Sequence, residues 1–233
     1  YLYNHQKKEN QEITHTRIGD KKTNIHGGAY CIEPHDLETF FNVYYQQVFV
    51  DKKEEFLTEK QIKNGPILVD FDFRYGPEQI TREHDKNMIE DIIALYLDKL
   101  KNILIMKQDQ FPIFIFEKPN LNPVKKDNIV KDGIHMLIGI SLSHELQLEL
   151  RKEVLEEIAT TCEVLPITND WENVLDRGIS AGYTNWQLFG SKKPNNEAYK
   201  LSYLFNLTYN KSEDIWSINE ENIKDFNIEK NLE

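Results

Sequence analysis

The segment Leu68-Val69-Asp70-Phe71-Asp72-Phe73-Arg74 alternates apolar and charged residues and follows the turn pair Asn64-Gly65. This period of two predicts a β-strand over residues 66–73, because successive side chains of a strand point to opposite faces. Asp70, Asp72 and Arg74 then share one face, and the apolar side chains share the other. The segment therefore predicts a strand with two carboxylates on one side.

Two carboxylates on one face of a central strand are costly to bury without a cation. Hard divalent ions such as Mg²⁺ and Mn²⁺ prefer carboxylate oxygen, so Asp70 and Asp72 are candidate metal ligands. A D-x-D pattern also occurs by chance, and the two residues could instead lie on the solvated face of a half-exposed sheet. The pattern alone leaves both interpretations open.

Hydrophobic periodicity around this segment predicts further strands and helices in the order β-α-β-β-α-β. This order is typical of the split βαβ arrangement, in which the first and third strands are neighbours in the middle of one antiparallel sheet. The predicted strands cover residues 66–73, 112–116, 133–140, 185–189 and 199–209, and the predicted helices cover residues 82–106 and 141–160. We therefore expect the first and third strands to lie side by side.

The third of these strands places a histidine beside the two carboxylates. In Gly133-Ile134-His135-Met136-Leu137-Ile138-Gly139-Ile140, His135 lies on the less apolar face. Glycines at 133 and 139 are expected to leave room for a ligand against the backbone, and Lys131 leads into the strand. A lone histidine on a strand is more often structural, so the candidacy of His135 depends on its expected neighbours.

Two further segments carry candidate residues. In Val174-Leu175-Asp176-Arg177-Gly178, the carboxylate of Asp176 could be a third metal ligand or could end a helix. The strand Asn185–Phe189 runs into Gly190-Ser191-Lys192-Lys193, whose backbone N–H and ammonium groups could hold phosphate oxygens. A Lys-Lys pair in a surface turn can equally be solvated, so this segment too has two interpretations.

The ends of the chain give weaker signals. Residues 1–24 are polar and without pattern and are predicted to be a lead-in, whereas Leu37–Phe49 is predicted to be an amphipathic helix with Asp36 as its N-cap. Residues 117–131 are predicted to be a basic loop. The expected domains are an N-terminal α/β part at residues 1–65, a catalytic module at residues 66–210, and an acidic helix or linker at residues 211–233.

The composition of the chain excludes several classes of protein. The 233 residues include 28 basic and 39 acidic side chains, for a net charge of −11, which excludes a polyanion-binding protein that works by bulk charge. A hydrophobic content of 39% is enough for a core, and no apolar run approaches the ~20 residues that span a bilayer. The two cysteines form no C-x-x-C pair, so no structural zinc site is expected. No secretion signal is present, so we do not expect a secreted protein.

With these segments in order, the chain resembles the archaeo-eukaryotic primase superfamily, and within it the primase domain of primase-helicases from large nucleocytoplasmic DNA viruses. The family pattern is a D-x-D, a small-x-His, an apolar residue followed by Asp, and a strand that ends in a basic turn. The matching residues here are Val69-Asp70-Phe71-Asp72, Gly133-Ile134-His135, Leu175-Asp176, and Asn185–Phe189 running to Ser191-Lys192-Lys193.

The resemblance implies a DNA-dependent primase or primase-polymerase that makes short primers from NTPs or dNTPs on single-stranded DNA. It implies that Asp70, Asp72 and Asp176 hold two Mg²⁺ or Mn²⁺ ions. It also implies an RRM-like catalytic sheet and, beyond this domain, a superfamily 3 helicase. The residues that it implies for nucleotide binding are His135, Lys131, Ser191, Lys192, Lys193 and Arg74.

The chain departs from the family pattern at two positions. Gly133 stands where many members have serine, and Gln187 stands where primase-polymerases often have arginine. No Walker-type phosphate loop is present, so an excised N-terminal primase domain is expected.

Two rival functions stay open at this point. A metal-dependent nuclease or other phosphotransferase could use the same carboxylates. A non-catalytic RNA-binding module of the same topology would stack bases on aromatic residues of its central strands, but Phe71 and Phe73 are expected opposite the Asp face. The sequence leaves open the role of Thr14–Arg17, the preference for ribo- or deoxyribonucleotides, and the oligomeric state.

Overall fold

A computed structural model describes residues 1–105 and 110–232 of the chain. The strands are β1 (His15–Arg17), β2 (Gly28–Tyr30), β3 (Leu57–Glu59), β4 (Asn64–Tyr75), β5 (Gln110–Glu117), β6 (Asn122–Val124), β7 (Ile129–Ser143), β8 (Trp186–Gln187), β9 (Lys200–Asn210) and β10 (Ile215–Glu221). The α-helices are α1 (Leu37–Tyr45), α2 (Lys86–Ile103), α3 (His144–Leu155), α4 (Ile158–Thr161), α5 (Trp171–Val174) and α6 (Arg177–Ser180).

The chain divides into two compact units that interleave in sequence. The first unit comprises Tyr1–Gln61, Thr184–Lys200 and Lys224–Glu233, and the second comprises Ile62–Tyr183 and Leu201–Ile223. The border at residue 61 lies close to the expected boundary at residue 65. The segment 184–200, which was assigned to the catalytic module, groups with the first unit.

The first unit contains a four-stranded sheet and the nine-residue helix α1. Its strands have the order β2-β1-β3-β8 and pair antiparallel. Helix α1 contributes Phe40 and Tyr44 to a core that also contains Tyr30 and Leu57, which confirms the amphipathic pattern. The prediction that residues 1–24 are a lead-in is wrong, because β1 lies within them. A three-residue strand is too short for a periodic pattern to reveal.

The second unit contains the predicted split βαβ element. Strands β4 and β7 pair antiparallel from Asn64↔Ser143 to Tyr75↔Val130, and β5 pairs with the other edge of β7. The apolar face of β4 packs under α2, where the Phe71 and Tyr96 rings lie 6.5 Å apart. The structure thus confirms that the first and third strands are neighbours, and it confirms the α+β fold class.

One detail of the predicted sheet is wrong: β4 is the last strand, not a central one. The strand order is β10-β9-β5-β7-β4, with β6 also on β7, so β9 lies beside β5. The fourth predicted strand, residues 185–189, contains β8 and pairs with β3 in the sheet of the first unit. The outer edge of β4 is covered by residues 168–176. The Thr168 N–H donates to the Arg74 carbonyl at 2.7 Å, and Asn169 exchanges hydrogen bonds with the β4 backbone at Asp72 and Arg74.

The C-terminal segment is also not what was expected. Residues 211–233 were predicted to be a helix or a linker, but strand β10 lies within them and pairs with β9. The Trp216 ring packs against Phe111 at 5.4 Å and Tyr209 at 4.6 Å. Apolar side chains alternate at Trp216 and Ile218 on the core side, and that short alternation was the available signal.

Three other boundaries differ by a few residues. Helix α2 begins at Lys86 with Asp85 as its N-cap, and Met106, the predicted end of this helix, lies outside the described residues. Strand β7 continues to Ser143, so α3 begins later than predicted. The predicted basic loop contains β6, which makes the segment 122–131 a hairpin.

Across residues 1–105 and 110–232, every helix is too short or too polar to cross a membrane.

Candidate active site

The pairing of β4 with β7 places the predicted charged residues in three successive rows. Asp70 lies opposite His135, Asp72 opposite Gly133, and Arg74 opposite Lys131. Directly opposite residues of an antiparallel pair share a face, with Cβ atoms about 4.5–5.5 Å apart. The structure therefore brings the carboxylates, the histidine and the lysine together on the face opposite the core.

Asp72 is held by two cations. Lys131 Nζ lies 2.8 Å from Oδ2 and 3.2 Å from Oδ1, and the Arg74 guanidinium donates to Oδ2 at 3.3 and 3.4 Å. All three side chains are about one-third exposed. The charge of Asp72 is thus neutralised by Lys131 and Arg74, which the resemblance implied as nucleotide-binding residues.

Asp70 and His135 form the next row. The His135 Nε2 lies 3.5 Å from Asp70 Oδ1, and the histidine side chain is 10% exposed. A carboxylate at that distance from a ring nitrogen can fix the orientation of the imidazole ring. The His135 ring nitrogen and the Asp70 carboxylate are therefore neighbours at one end of the three rows.

Asp176 reaches the site along the edge of β4. Its backbone N–H donates to the Asp70 carbonyl at 3.1 Å, and an isolated bridge joins Leu175 to Phe71. Its carboxylate accepts the Gly178 N–H at 2.7 Å and so caps the short helix α6. The backbones of Asp70 and Asp176 are therefore adjacent, and the Asp176 carboxylate caps the turn.

Arg151 holds that turn in place, and sequence analysis did not identify this arginine. The buried guanidinium donates to the Leu175 carbonyl at 2.9 and 3.0 Å and to Glu172 at 2.8 Å. The signal was present, because Arg151 occupies a position that the helical period of α3 assigns to the core, together with Gln147, Leu150 and Val154. A charged residue on a core stripe needs a buried partner, and here the partner is the turn that carries Asp176.

The carboxylates of Asp70, Asp72 and Asp176 suit a hard divalent cation, but they are not arranged around a single metal position. Among the residues that the structure describes, no group of three or more His, Cys, Asp or Glu side chains is arranged to hold a metal ion. Asp70, Asp72 and Asp176 supply partly exposed carboxylate oxygens, the chemistry that Mg²⁺ and Mn²⁺ prefer. A cation at this position would compete with Lys131 and Arg74 for Asp72.

The predicted phosphate turn lies in the first unit, where two of its members have other partners. Ser191 is 1% exposed, and its hydroxyl bonds to the Tyr44 hydroxyl at 2.8 Å and accepts the Leu57 N–H at 3.2 Å. Lys192 forms an ion pair with Glu54, and Lys193 is exposed. This geometry argues against a direct contact between Ser191 and a nucleotide.

Two glycines that were expected to admit a ligand serve packing instead. A Cβ at Gly190, which has a φ of +87°, would lie 2.7 Å from the Phe49 ring and 2.8 Å from Val48. A Cβ at Gly139 would lie 2.8 Å from Pro112 on β5. Both positions therefore need glycine for reasons internal to the fold.

The open face of the second sheet carries aromatic rings that sequence analysis did not place there. Phe116 lies opposite His135 and Phe114 lies opposite Leu137, with the two rings stacked at 6.3 Å. Both are partly exposed. The alternation that predicted β5 was sufficient to assign them to this face, once β5 was placed beside β7.

Thr14–Arg17, whose role the sequence leaves open, makes several contacts within the first unit. Arg17 makes a bidentate pair with Glu55 at 2.5 and 2.7 Å. His15 packs on Phe40 at 4.8 Å, and burial lowers its pKa to about 4. Thr16 shares a 2.7 Å hydrogen bond with Thr58. These residues hold β1 in its sheet.

Two comparisons with known proteins found similarity over most of the chain. The family model described as "C962R protein N-terminal AEP domain" matches residues 19–205. A curated protein of Acanthamoeba polyphaga mimivirus, named "Putative helicase L207/L206", is 29% identical over 210 residues. That match covers 88% of this chain and 21% of the relative, so the chain spans about a fifth of the length of that protein.

We expect Ser191→Ala to reduce stability by about 1–3 kcal/mol, because the buried Leu57 N–H and Tyr44 hydroxyl each lose a partner. The measurement is the free energy of unfolding in urea. Lys193→Ala, in the same turn but exposed, is the matched control and should change stability by less than about 0.5 kcal/mol. Equal stability of the two variants would contradict the structural role of Ser191.

Proposed function

Because the chain belongs to the archaeo-eukaryotic primase (AEP) family of C962R-type N-terminal domains, we propose that it synthesises primers by template-directed nucleotidyl transfer. The substrates in this proposal are single-stranded DNA and nucleoside triphosphates. The family gives the chain a primase-type role, and the reaction, substrates and residues are our proposal.

One observation carries this proposal: carboxylates and basic side chains lie next to one another on a single sheet face. Asp70 lies across from His135, and Lys131 lies across from Arg74, one row beyond Asp72. A metal–triphosphate complex needs anionic ligands for the metal and cationic donors for the phosphates, within a few ångströms of each other. The β4–β7 pair offers both kinds of group in adjacent rows.

The roles follow from position. Asp70, Asp72 and Asp176 would hold Mg²⁺ or Mn²⁺, which when bound would activate the 3′-hydroxyl and stabilise the leaving pyrophosphate. Lys131 and Arg74 neutralise the triphosphate, and His135 orients it from the neighbouring row. Lys192 and Lys193 stay candidates for phosphate contact, although Lys192 would first have to leave Glu54.

The contact between Lys131 and Asp72 links the binding of the cation to the binding of the triphosphate. Lys131 and Arg74 both supply positive charge to Asp72. A cation on Asp72 would compete with the ammonium group of Lys131 and would leave it available to a triphosphate. Metal binding and nucleotide binding would then be coupled through this one carboxylate.

We also propose that the chain works next to a helicase. The mimivirus relative is named as one, and this chain covers only a fifth of it. With a net charge of −11, the chain should hold DNA weakly and in a salt-sensitive manner. A tethered helicase would raise the local concentration of template. Such a protein would act in the host cytoplasm, a viral factory or the nucleus.

A second function is favoured by one observation. Phe114 and Phe116 lie on the same sheet face as the charged rows, which is how RRM-type modules stack bases. A non-catalytic module would bind single-stranded nucleic acid with these rings and would not consume nucleotides. The experiment that follows separates the two functions.

We expect Asp70→Asn together with Asp72→Asn to lower primer synthesis by at least about 10²-fold, because the proposed metal ligands are lost. The measurement is product formation from NTPs and dNTPs on single-stranded DNA with Mn²⁺, with circular dichroism to verify folding. Asp127→Asn, an exposed carboxylate of the same unit, is the control and should leave synthesis unchanged. Near-normal synthesis by the double variant would refute the proposal, and shortening of the DNA instead of primer formation would favour a nuclease.

We expect Lys131→Met to have opposite effects on two affinities. Binding of Mn²⁺ alone should become a few-fold tighter, because the competing cation on Asp72 is removed. Binding of an NTP with Mn²⁺ should weaken by about 10- to 100-fold, since a charge-assisted contact is worth about 1.5–3 kcal/mol.

Calorimetric titrations measure both affinities. Lys126→Met, at the exposed tip of the β6–β7 hairpin, is the control and should alter neither. Weaker Mn²⁺ binding by Lys131→Met would exclude the exchange of Lys131 for a metal.

A further inference from the structure

A buried charged cluster lies on the core side of β7, behind the candidate site. We call Arg82, His84, Glu117 and Asp132 the Arg82 cluster. The side chains of His84 and Asp132 are 0% exposed, Glu117 is 8% exposed and Arg82 is 28% exposed. Two buried carboxylates in a core are costly unless each is paired and hydrogen-bonded, and the proposed chemistry uses none of the four.

The cluster lies at a break in the hydrogen-bond ladder of β7. Strand β5 pairs with β7 as far as Glu117↔Ile134, and β6 begins at Asn122↔Lys131. Among the described strand pairs, no strand residue therefore faces Asp132 and Gly133 on that edge. The Gly133 N–H instead donates to the carboxylate of Asp132 at 2.9 Å, so this side chain satisfies the backbone where the ladder is interrupted.

Arg82 joins the two sides of that break. Its guanidinium donates to both oxygens of Asp132 at 2.8 and 2.9 Å. It also donates to the Lys118 carbonyl at 2.7 Å and lies 3.0 Å from Glu117. The end of β5 and the start of the site-bearing part of β7 are therefore fixed to one planar, rigid group.

The remaining two members, His84 and Glu117, contact each other. His84 packs on Phe73 at 5.5 Å and places Nε2 2.7 Å from Glu117. Burial opposes the ionisation of Glu117, but hydrogen bonds from His84 and Ser202 and the charge of Arg82 hold its pKa below the usual value. Glu117 is thus an anion at neutral pH, and it holds the arginine from the side opposite Asp132.

Asp132 stands between two residues of the site. Lys131 precedes it and Gly133 follows it, and both lie on the open face opposite Arg74 and Asp72. Because side chains alternate along a strand, whatever fixes Asp132 on the core side also fixes its two neighbours on the open side. A misplacement of 1 Å at a reacting site can cost about 10²-fold in rate.

We propose that Arg82 and Asp132 are positioning residues for nucleotide binding, which hold Lys131 and the backbone at Gly133 at the place where the triphosphate docks. This inference rests on the proposed function. It gives a function to the buried ion pair of Arg82 and Asp132. Stability alone does not require this pair, since apolar residues of similar volume often stabilise a core equally well.

Arg82→Gln and Arg151→Gln test the proposal as a matched pair of half-buried or buried arginines in the same unit. Calorimetric titration of the full 233-residue chain measures two affinities, that for Mn²⁺ alone and that for Mn²⁺ with ATP or dATP. We expect Arg82→Gln to weaken nucleotide binding at least 10-fold without weakening the binding of Mn²⁺ alone. Arg151→Gln should weaken Mn²⁺ binding, because its guanidinium holds the turn that carries Asp176.

A second variant keeps the test decisive if Arg82→Gln fails to fold. Arg82→Gln with Asp132→Asn removes both charges and leaves an amide oxygen to accept the Gly133 N–H. Its nucleotide affinity should still be at least 10-fold lower than that of the unchanged protein, and Arg82→Lys should be intermediate. Unchanged nucleotide affinity in the folded variants would overturn the inference alone, whereas no nucleotide binding by the unchanged protein would overturn both the inference and the proposed function.

Discussion

The antiparallel pairing of β4 with β7 is the constraint on which the rest of the second unit depends. A slip of one residue would move every side chain of one strand to the opposite face. The pairing has one irregularity, between Pro66 and Ile67, and beyond it the register is unbroken from Ile67↔Ile138 to Tyr75↔Val130. The buried phenylalanines on one face hold this register, and the charged rows on the other face follow from it.

The sequence predicted the long elements because their patterns repeat. The alternation over 66–73 and 133–140 was sufficient to predict both strands, their pairing and the shared face of Asp70 and His135. Strands of three residues, such as β1, β2 and β6, offer no period to detect. The place of β9 beside β5 depends on tertiary contacts, and no local pattern encodes it.

The residues of the candidate site could be predicted from the sequence, but most of their contacts could not. Asp70, Asp72, His135 and Lys131 lie together as the pattern indicated. The partners of Ser191 could not be derived, because its hydroxyl is satisfied by Tyr44 and Leu57, which are distant in sequence. Arg151 and Arg82 act through buried contacts to turns and strand ends, and such contacts appear only once the helices and strands are packed.

The segment 168–176 has a consequence for how copies of this chain behave towards one another. Strand β4 is twelve residues long and alternates apolar and charged residues, and an open edge of that kind is a template for strand addition. Asn169 bonds to the backbone at Asp72 and Arg74 and so imitates a neighbouring strand without continuing the sheet. The same segment that carries a carboxylate to the site thus protects the protein from edge-to-edge aggregation.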